Sequence, residues 1–213
     1  MRTLISVSMK KAYLFSVSLL GVLMLVGCAS SPYQALSEQP SETAQDYDYL
    51  IGPGDQVEIF VWGNPELTAT VPVRPDGKIT TRLVEDIAAS GKTPTQLARD
   101  IEEAYSQYVK NAVVSVLVSG FAGVPSQRIR VVGEAAKPQS IAFRKHLTLL
   151  DLIIMVGGLT EFADGNSAVL VRNQGDEKKV YNVRLDDLVR EGDISANVAL
   201  LPGDVVIIPE AWF

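Results

Sequence analysis

Few residues in this chain could carry covalent chemistry, and their spacing argues against most of it. The chain has one cysteine, Cys28, and one histidine, His146. With a single thiol, no intramolecular disulfide can form. A serine triad would have to recruit His146, and no Gly-x-Ser-x-Gly elbow is present. His146 follows Arg144 and Lys145 and reads as part of a solvated basic loop. Cys28 and one imidazole cannot build a thiolate–imidazole metal cluster. Gly52-x-Gly54 lacks the third glycine of a dinucleotide fingerprint and follows no strand. Carboxylates are plentiful, so a glycosidase-like pair is the one hydrolytic arrangement the composition leaves open. The reading is therefore no catalytic residue, no metal and no cofactor.

The residue with a chemical fate is Cys28. It ends the apolar run Ala12 to Gly27, which follows Lys10 and Lys11. A charged start, an apolar middle and a small-residue end describe a secretory signal over residues 1–27, too short for a comfortable membrane span. Met9 offers an alternative start. Leu25-Val26-Gly27-Cys28 resembles the bacterial lipobox, whose cysteine is acylated and becomes the new N-terminus. Ala29 and Ser30 follow, and the missing aspartate after the cysteine points to the outer membrane. Acyl chains contribute about 0.8 kcal/mol per buried CH₂ and would anchor the body stably.

Net charge bounds the partners. The chain carries −6. Removing Arg2, Lys10 and Lys11 from its 19 basic residues leaves 16 against 25 acidic ones, or −9. An acidic body does not attract nucleic acid or anionic lipid heads. Residues 28–48 are rich in Ser, Gln, Glu and Pro and poor in aliphatics, so they read as a lipidated flexible tether. As a coil it would reach roughly 25 Å.

The body begins with a turn and a strand. In Gly52-Pro53-Gly54-Asp55, Pro53 pre-sets its φ and Gly54 tolerates a positive one. Beyond it Val57, Ile59 and Val61 alternate with Gln56, Glu58, Phe60 and Trp62. Arg74-Pro75-Asp76-Gly77 is a second turn, and Thr70 to Leu83 reads as a hairpin around it. Thr93, Pro94 and Gln96 form a helix start with a capping box. Leu97, Ile101, Ala104, Tyr105 and Tyr108 supply its apolar face. A valine-rich strand, Ala112 to Val118, completes residues 49–120. The turn residues read as structural, with Asp55 and Asp76 as turn caps. Arg74 is either a solvated strand end or a contact to polymer or a neighbouring subunit.

Residues 127–213 form a second unit. Gln127 to Gly133 is a strand, and Pro138 to Phe143 is extended. Thr148 caps an apolar helix over Leu149 to Val156 that should be buried all round. Gly157-Gly158 stops it, Gly157 serving as C′. Two strands flank Gly175-Asp176, and Leu185 to Arg190 is a helical turn ended by Gly192. Pro202-Gly203-Asp204 repeats the opening turn before the strand Val205 to Ile208.

The series in order is specific. Gly52, Pro53, Gly54, Asp55, Trp62, Arg74, Asp76 and Gly77 resemble the polysaccharide biosynthesis/export domain of the outer-membrane polysaccharide export lipoproteins. Gly133, Gly157, Gly158, Pro202, Gly203 and Asp204 are similar to the SLBB module, a β-grasp domain. The fold class expected is α+β: a small export domain of mixed strands with one helix, then a β-grasp domain. The ending Pro209-Glu210-Ala211-Trp212-Phe213, without the C-terminal amphipathic helix of long members, resembles the short class of exosortase-associated exopolysaccharide systems.

The resemblance implies a lipid-anchored, periplasm-facing component of an exopolysaccharide or capsule export machine. It implies a homo-oligomeric ring that conducts polymer without acting on it. The implied partners are polysaccharide, a separate outer-membrane β-barrel and an inner-membrane chain-length or co-polymerase protein. A different class of reading is a non-transporting saccharide-binding lipoprotein, sensor or tether, which would stay monomeric.

Overall fold

The structure is a computed structural model that describes residues 33–36, 47–175 and 177–212. The expected signal, Cys28 and most of the expected tether lie outside the described residues.

The exception within the tether is a short docked segment. β1 (Gln34–Ala35) adds to a sheet edge, pairing in parallel with Tyr181 and Asn182. Leu36 follows it into the core, 6% exposed. Residues 34–36 are therefore not free coil. Composition averaged over twenty residues hides one leucine that can be buried and one sheet edge that can pair.

The first unit is built around β2 (Gln56–Val61). Val57, Ile59 and Val61 face inward and are fully buried, as the alternation requires. β2 lies between β3 (Ala69–Pro72) and β6 (Val114–Ser119) in an antiparallel sheet. A two-stranded ribbon, β4 (Lys78–Ile79) with β5 (Ile87–Ala88), sits beside it. Helix α1 (Pro94–Tyr105) contributes Leu97, Ala98, Ile101 and Tyr105 to the same core. Its capping box is complete: Gln96 N donates to Thr93 Oγ1 at 3.2 Å, and Thr93 N donates to Gln96 Oε1 at 2.9 Å. Tyr108, expected on the apolar face, lies beyond the helix end and is exposed.

The hairpin expected over Thr70 to Leu83 does not form. The turn is there, with Gly77 N donating to Arg74 O. Its two arms take different partners, however: β3 pairs with β2, and β4 pairs with β5. Two forces separate them. β3 finds the open edge of β2, with Val71 packed against the core. The return arm is reversed after Ile79 by a turn in which Thr81 Oγ1 accepts from Val84 N and donates to Val84 O.

The second unit is a six-stranded mixed sheet in the order β1-β10-β9-β11-β7-β8. Its remaining strands are β7 (Ile129–Gly133), β8 (Ser140–Ile141), β9 (Val169–Gln174), β10 (Glu177–Asn182) and β11 (Val205–Ile208). β9 and β10 form the expected hairpin, and β11 runs parallel to β7. Helix α2 (Leu149–Met155) buries Leu149, Leu152 and Ile153 in a core with Ile129, Val131, Leu170, Val206 and Ile208. Gly157 is C′ with φ +83°, and Gly158 N closes back on Ile153 O. The helix is not buried all round: Ile154 is 69% exposed, and Met155 is exposed as well. Its seven residues make two turns against one sheet, so the far face has no element to cover it. Two separate cores within an α+β body give the expected fold class.

Candidate functional site

The two Pro-Gly-Asp sequences fold into equivalent turns. In each, the aspartate N–H donates to the carbonyl three residues earlier: Asp55 to Gly52 at 3.1 Å and Asp204 to Leu201 at 3.2 Å. The carboxylate then accepts the N–H of that same residue, Gly52 N and Leu201 N, at 2.8 Å in both turns. Gly54 and Gly203 hold φ of +94° and +89°, which only glycine adopts without strain. Pro53 and Pro202 occupy the preceding positions, where a fixed φ shortens the search for the turn.

Each aspartate also reaches beyond its turn. Asp55 is fully buried. Its Oδ1 accepts Ala122 N at 2.6 Å and Gly123 N at 3.3 Å, and its Oδ2 accepts the Tyr49 hydroxyl. A carboxylate satisfied by four donors is a fastener, since a charge this deep survives only when hydrogen-bonded. Burial, and behind it the hydrogen bond to Asp55, push the Tyr49 phenol up from its ordinary value. Phe121 packs edge-on against the Tyr49 ring, centroids 5.6 Å apart. Gly52 completes the grip: a Cβ there would lie 1.9 Å from Gly123 O.

Residues 120–128 connect the two units, so Asp55 holds the connection from one side. The second turn meets it from the other. A Cβ on Gly203 would stand 2.7 Å from Ser126 O. Arg128 Nη1 donates to Ala122 O at 3.0 Å, and Arg130 Nη2 donates to Pro125 O at 3.2 Å. Arg130 N donates to Asp204 O, tying the turn to β7. Asp204 itself is buried against Arg172 in a two-point ion pair, Nε–Oδ1 3.0 Å and Nη2–Oδ2 2.8 Å. Arg172 Nη2 also donates to Ala199 O at 3.0 Å.

Arg172 belongs to none of the sequence motifs. The signal was available in the alternation of β9: Leu170 faces inward, so position 172 must as well. An arginine at an inward position needs a buried carboxylate, and Asp204 is that carboxylate.

The Arg74-Pro75-Asp76-Gly77 turn lies elsewhere and is exposed. The Arg74 guanidinium meets Asp76, Asp86 Oδ1 at 2.8 Å and Thr80 Oγ1 at 3.3 Å. The hydrogen bonds to Asp76 and Asp86 hold the guanidinium above its ordinary value. The bond from Arg74, and after it the Lys78 N–H, hold the Asp76 carboxyl below its own. Arg74 thus spends its hydrogen bonds within its own unit. The Gly77 carbonyl accepts both Ala89 N and Ser90 N, joining the turn to β5. Gly133 ends β7 against β11, where a Cβ would lie 1.9 Å from Ile208 O. Trp62 continues β2 past its last buried residue and is 71% exposed.

The structure therefore disperses the predicted site residues: Gly133 ends β7, Gly157 and Gly158 close helix α2, and the others fall in three places. Gly52, Pro53, Gly54, Asp55, Pro202, Gly203 and Asp204 form the two turns, of which Gly52, Asp55 and Gly203 bear directly on the linker. Arg74, Asp76 and Gly77 form a surface cluster. Trp62 stands on an open sheet face. Among the described residues, no group of three or more His, Cys, Asp or Glu side chains could hold a metal ion.

Comparison with known proteins places these features. The polysaccharide biosynthesis/export protein family matches residues 43–119, and the SLBB domain family matches residues 127–208. The chain is similar to the EPS I polysaccharide export outer membrane protein EpsA of Ralstonia solanacearum, 29% identical over 182 residues. It is 27% identical over 186 residues to the protein of the same name from Ralstonia nicotianae. The alignments cover 74% and 76% of this chain, and the chain spans about half the length of these curated relatives, 47% in each. The chain thus carries a polysaccharide biosynthesis/export domain on its first core and an SLBB domain on its second, in that order.

Proposed function

We propose that this protein is a component of an exopolysaccharide export machine, lipid-anchored through Cys28 to the outer membrane and facing the periplasm. The observation that carries the reading is the succession of an export domain and an SLBB domain in one chain that is similar to relatives named as outer-membrane polysaccharide export proteins. In this reading, copies of the chain form a ring whose lumen guides polymer without altering it. A polymer conduit must bind at many points and weakly at each, because tight binding stalls passage. The partners are an outer-membrane β-barrel and an inner-membrane chain-length or co-polymerase protein.

Polymer location in a clean deletion strain is the test. Surface polymer should disappear while the biosynthetic enzymes stay intact, and the wild-type gene should restore it. A Cys28→Ala complement should release the protein from the membrane fraction and fail to restore export. Unchanged surface polymer in the deletion strain would sink the export reading. Sedimentation of the full chain in detergent tests the ring: a single-subunit mass at all concentrations favours a saccharide-binding lipoprotein. New reducing ends on incubation with polymer would show that the chain acts on it.

A further inference from the structure

The outer face of the β3-β2-β6 sheet is used by neither core nor by the linker. Alternation in β2 turns Glu58 and Phe60 outward, and Trp62 extends the row. The two rings stand 6.4 Å apart at 66°, with Phe60 41% and Trp62 71% exposed. Register fixes their neighbours. Ser115 lies opposite Phe60, Leu117 and Thr70 flank Glu58, and Ser119 lies opposite Gln56. Such directly opposed residues have Cβ atoms about 5 Å apart. Among the described residues, the side chains of Gln56, Glu58, Thr70, Ser115 and Ser119 make no hydrogen bond.

We propose that this face is a saccharide platform, the surface on which uncharged sugar residues of the polymer lie as they pass. The inference rests on the export reading and adds where the polymer is met. A pyranose ring presents one face of C–H groups with slight positive charge. That face settles on the electron-rich face of an indole or phenyl ring. Its hydroxyls project at the rim, as donors and acceptors, where the unpaired amide, hydroxyl and carboxylate groups of this sheet stand. A sheet holds the two rings in place before the sugar arrives, so little ordering is required on contact. Among the described residues, Glu58 is the only ionisable side chain that these three strands turn to the face, which disfavours a polyanion there. The outward face of the six-stranded sheet offers a contrast. Val132, Val169, Val171 and Ile207 adjoin one another there with no polar side chain between them. The polar side chains that register places beside them, Arg130 and Asn182, already donate to the Pro125 carbonyl and to the Asn166 and Ala168 carbonyls.

The experiment uses the full chain in detergent with Trp212→Phe, which leaves Trp62 as the sole tryptophan. The probe is the oligosaccharide mixture from partial hydrolysis of the exopolysaccharide made by the cell that carries this chain. Trp62 emission should shift to the blue and saturate. In affinity electrophoresis, Trp62→Ala should bind about tenfold more weakly and Trp62→Phe within about threefold of wild type. The thermal midpoint should hold, because the indole packs against little. Phe60→Ala serves as the second variant and should also weaken binding.

Unchanged emission with unchanged Trp62→Ala binding overturns the platform. So does a Trp62→Ala chain that loses oligomeric mass while binding sugar normally, since the face is then a subunit contact. Trp62-dependent binding of polygalacturonate overturns the uncharged-sugar assignment. The export reading fails separately: a deletion strain with normal surface polymer removes it. A deletion that blocks export and is fully complemented by Trp62→Ala/Phe60→Ala removes the platform alone.

Discussion

Asp55 and Asp204 close the same turn, yet the two carboxylates balance their charge differently. Asp55 is surrounded by N–H and O–H donors, whereas Asp204 is paired with the buried guanidinium of Arg172. The consequence is a difference in sensitivity. Arg172→Met leaves a buried carboxylate with Leu201 N as its remaining donor, and loss of one partner of such a pair costs about 3–5 kcal/mol. Removing both charges in Arg172→Met/Asp204→Leu relieves the unpaired charge but also loses the turn bond. Chemical denaturation of the two variants should place the double mutant no lower than the single one. Exposed carboxylates behave otherwise. Asp76 is held below its ordinary value of 3.8 by Arg74, and Asp193 below the same value by the Ser195 hydroxyl and N–H, with Arg184 beyond them. A carboxyl lowered in the fold adds stability above its unfolded value and loses it as pH falls through the folded one. Side-chain carboxyl NMR should therefore show both groups titrating below 3.8. The Arg74 cluster should stay closed until the pH drops past that range.

Elements hold where local signals and tertiary partners agree. Helix α1 has a complete capping box, a proline in its first turn and an apolar face turned to the core beside β6. Thr93→Ala removes the side-chain acceptor of Gln96 N and should lower stability by about 1 kcal/mol, read from the urea midpoint with an unchanged slope. α2 has the same capping box, in which Asp151 replaces Gln96. Its exposed Ile154 shows that apolar composition alone does not decide burial; one helix needs two neighbours to be covered on both sides. The hairpin expected around Arg74-Pro75-Asp76-Gly77 failed for a related reason. A turn sequence specifies that the chain reverses, but not which edge its arms then find. The open edge of β2 took one arm and β5 took the other.

At the scale of the molecule, the linker is the joint on which the arrangement of the two cores depends. Asp55 holds Ala122 and Gly123, and the Gly203 turn bears on Ser126, so both repeated turns close on one nine-residue connection, residues 120–128. Asp55→Ala should leave both cores folded while freeing the linker. Amide exchange at Ala122 and Gly123 should rise by more than about tenfold, with the amides of α2 unaffected. Gly52→Ala should act in the same direction, because its methyl group would overlap the Gly123 carbonyl. Equal exchange in wild type and both variants would show that the joint is held by other contacts.

Much of this was legible in the sequence because it is local. Period-two alternation at Val57, Ile59 and Val61, the Thr93 and Thr148 caps, and the turns at Pro53 and Pro202 all depend on residues within a few positions of one another. The ordered motifs were enough to identify its two domains. The tertiary structure decided what depends on distant neighbours. It brought Asp55 to Ala122 across 67 residues and Arg172 to Asp204 across 32. It sent the arms of one turn to two different strands, and it seated Leu36 in a core. Local propensity is encoded by adjacent side chains, whereas the partner of a buried charge or an open strand edge is chosen only when the whole chain has packed around it.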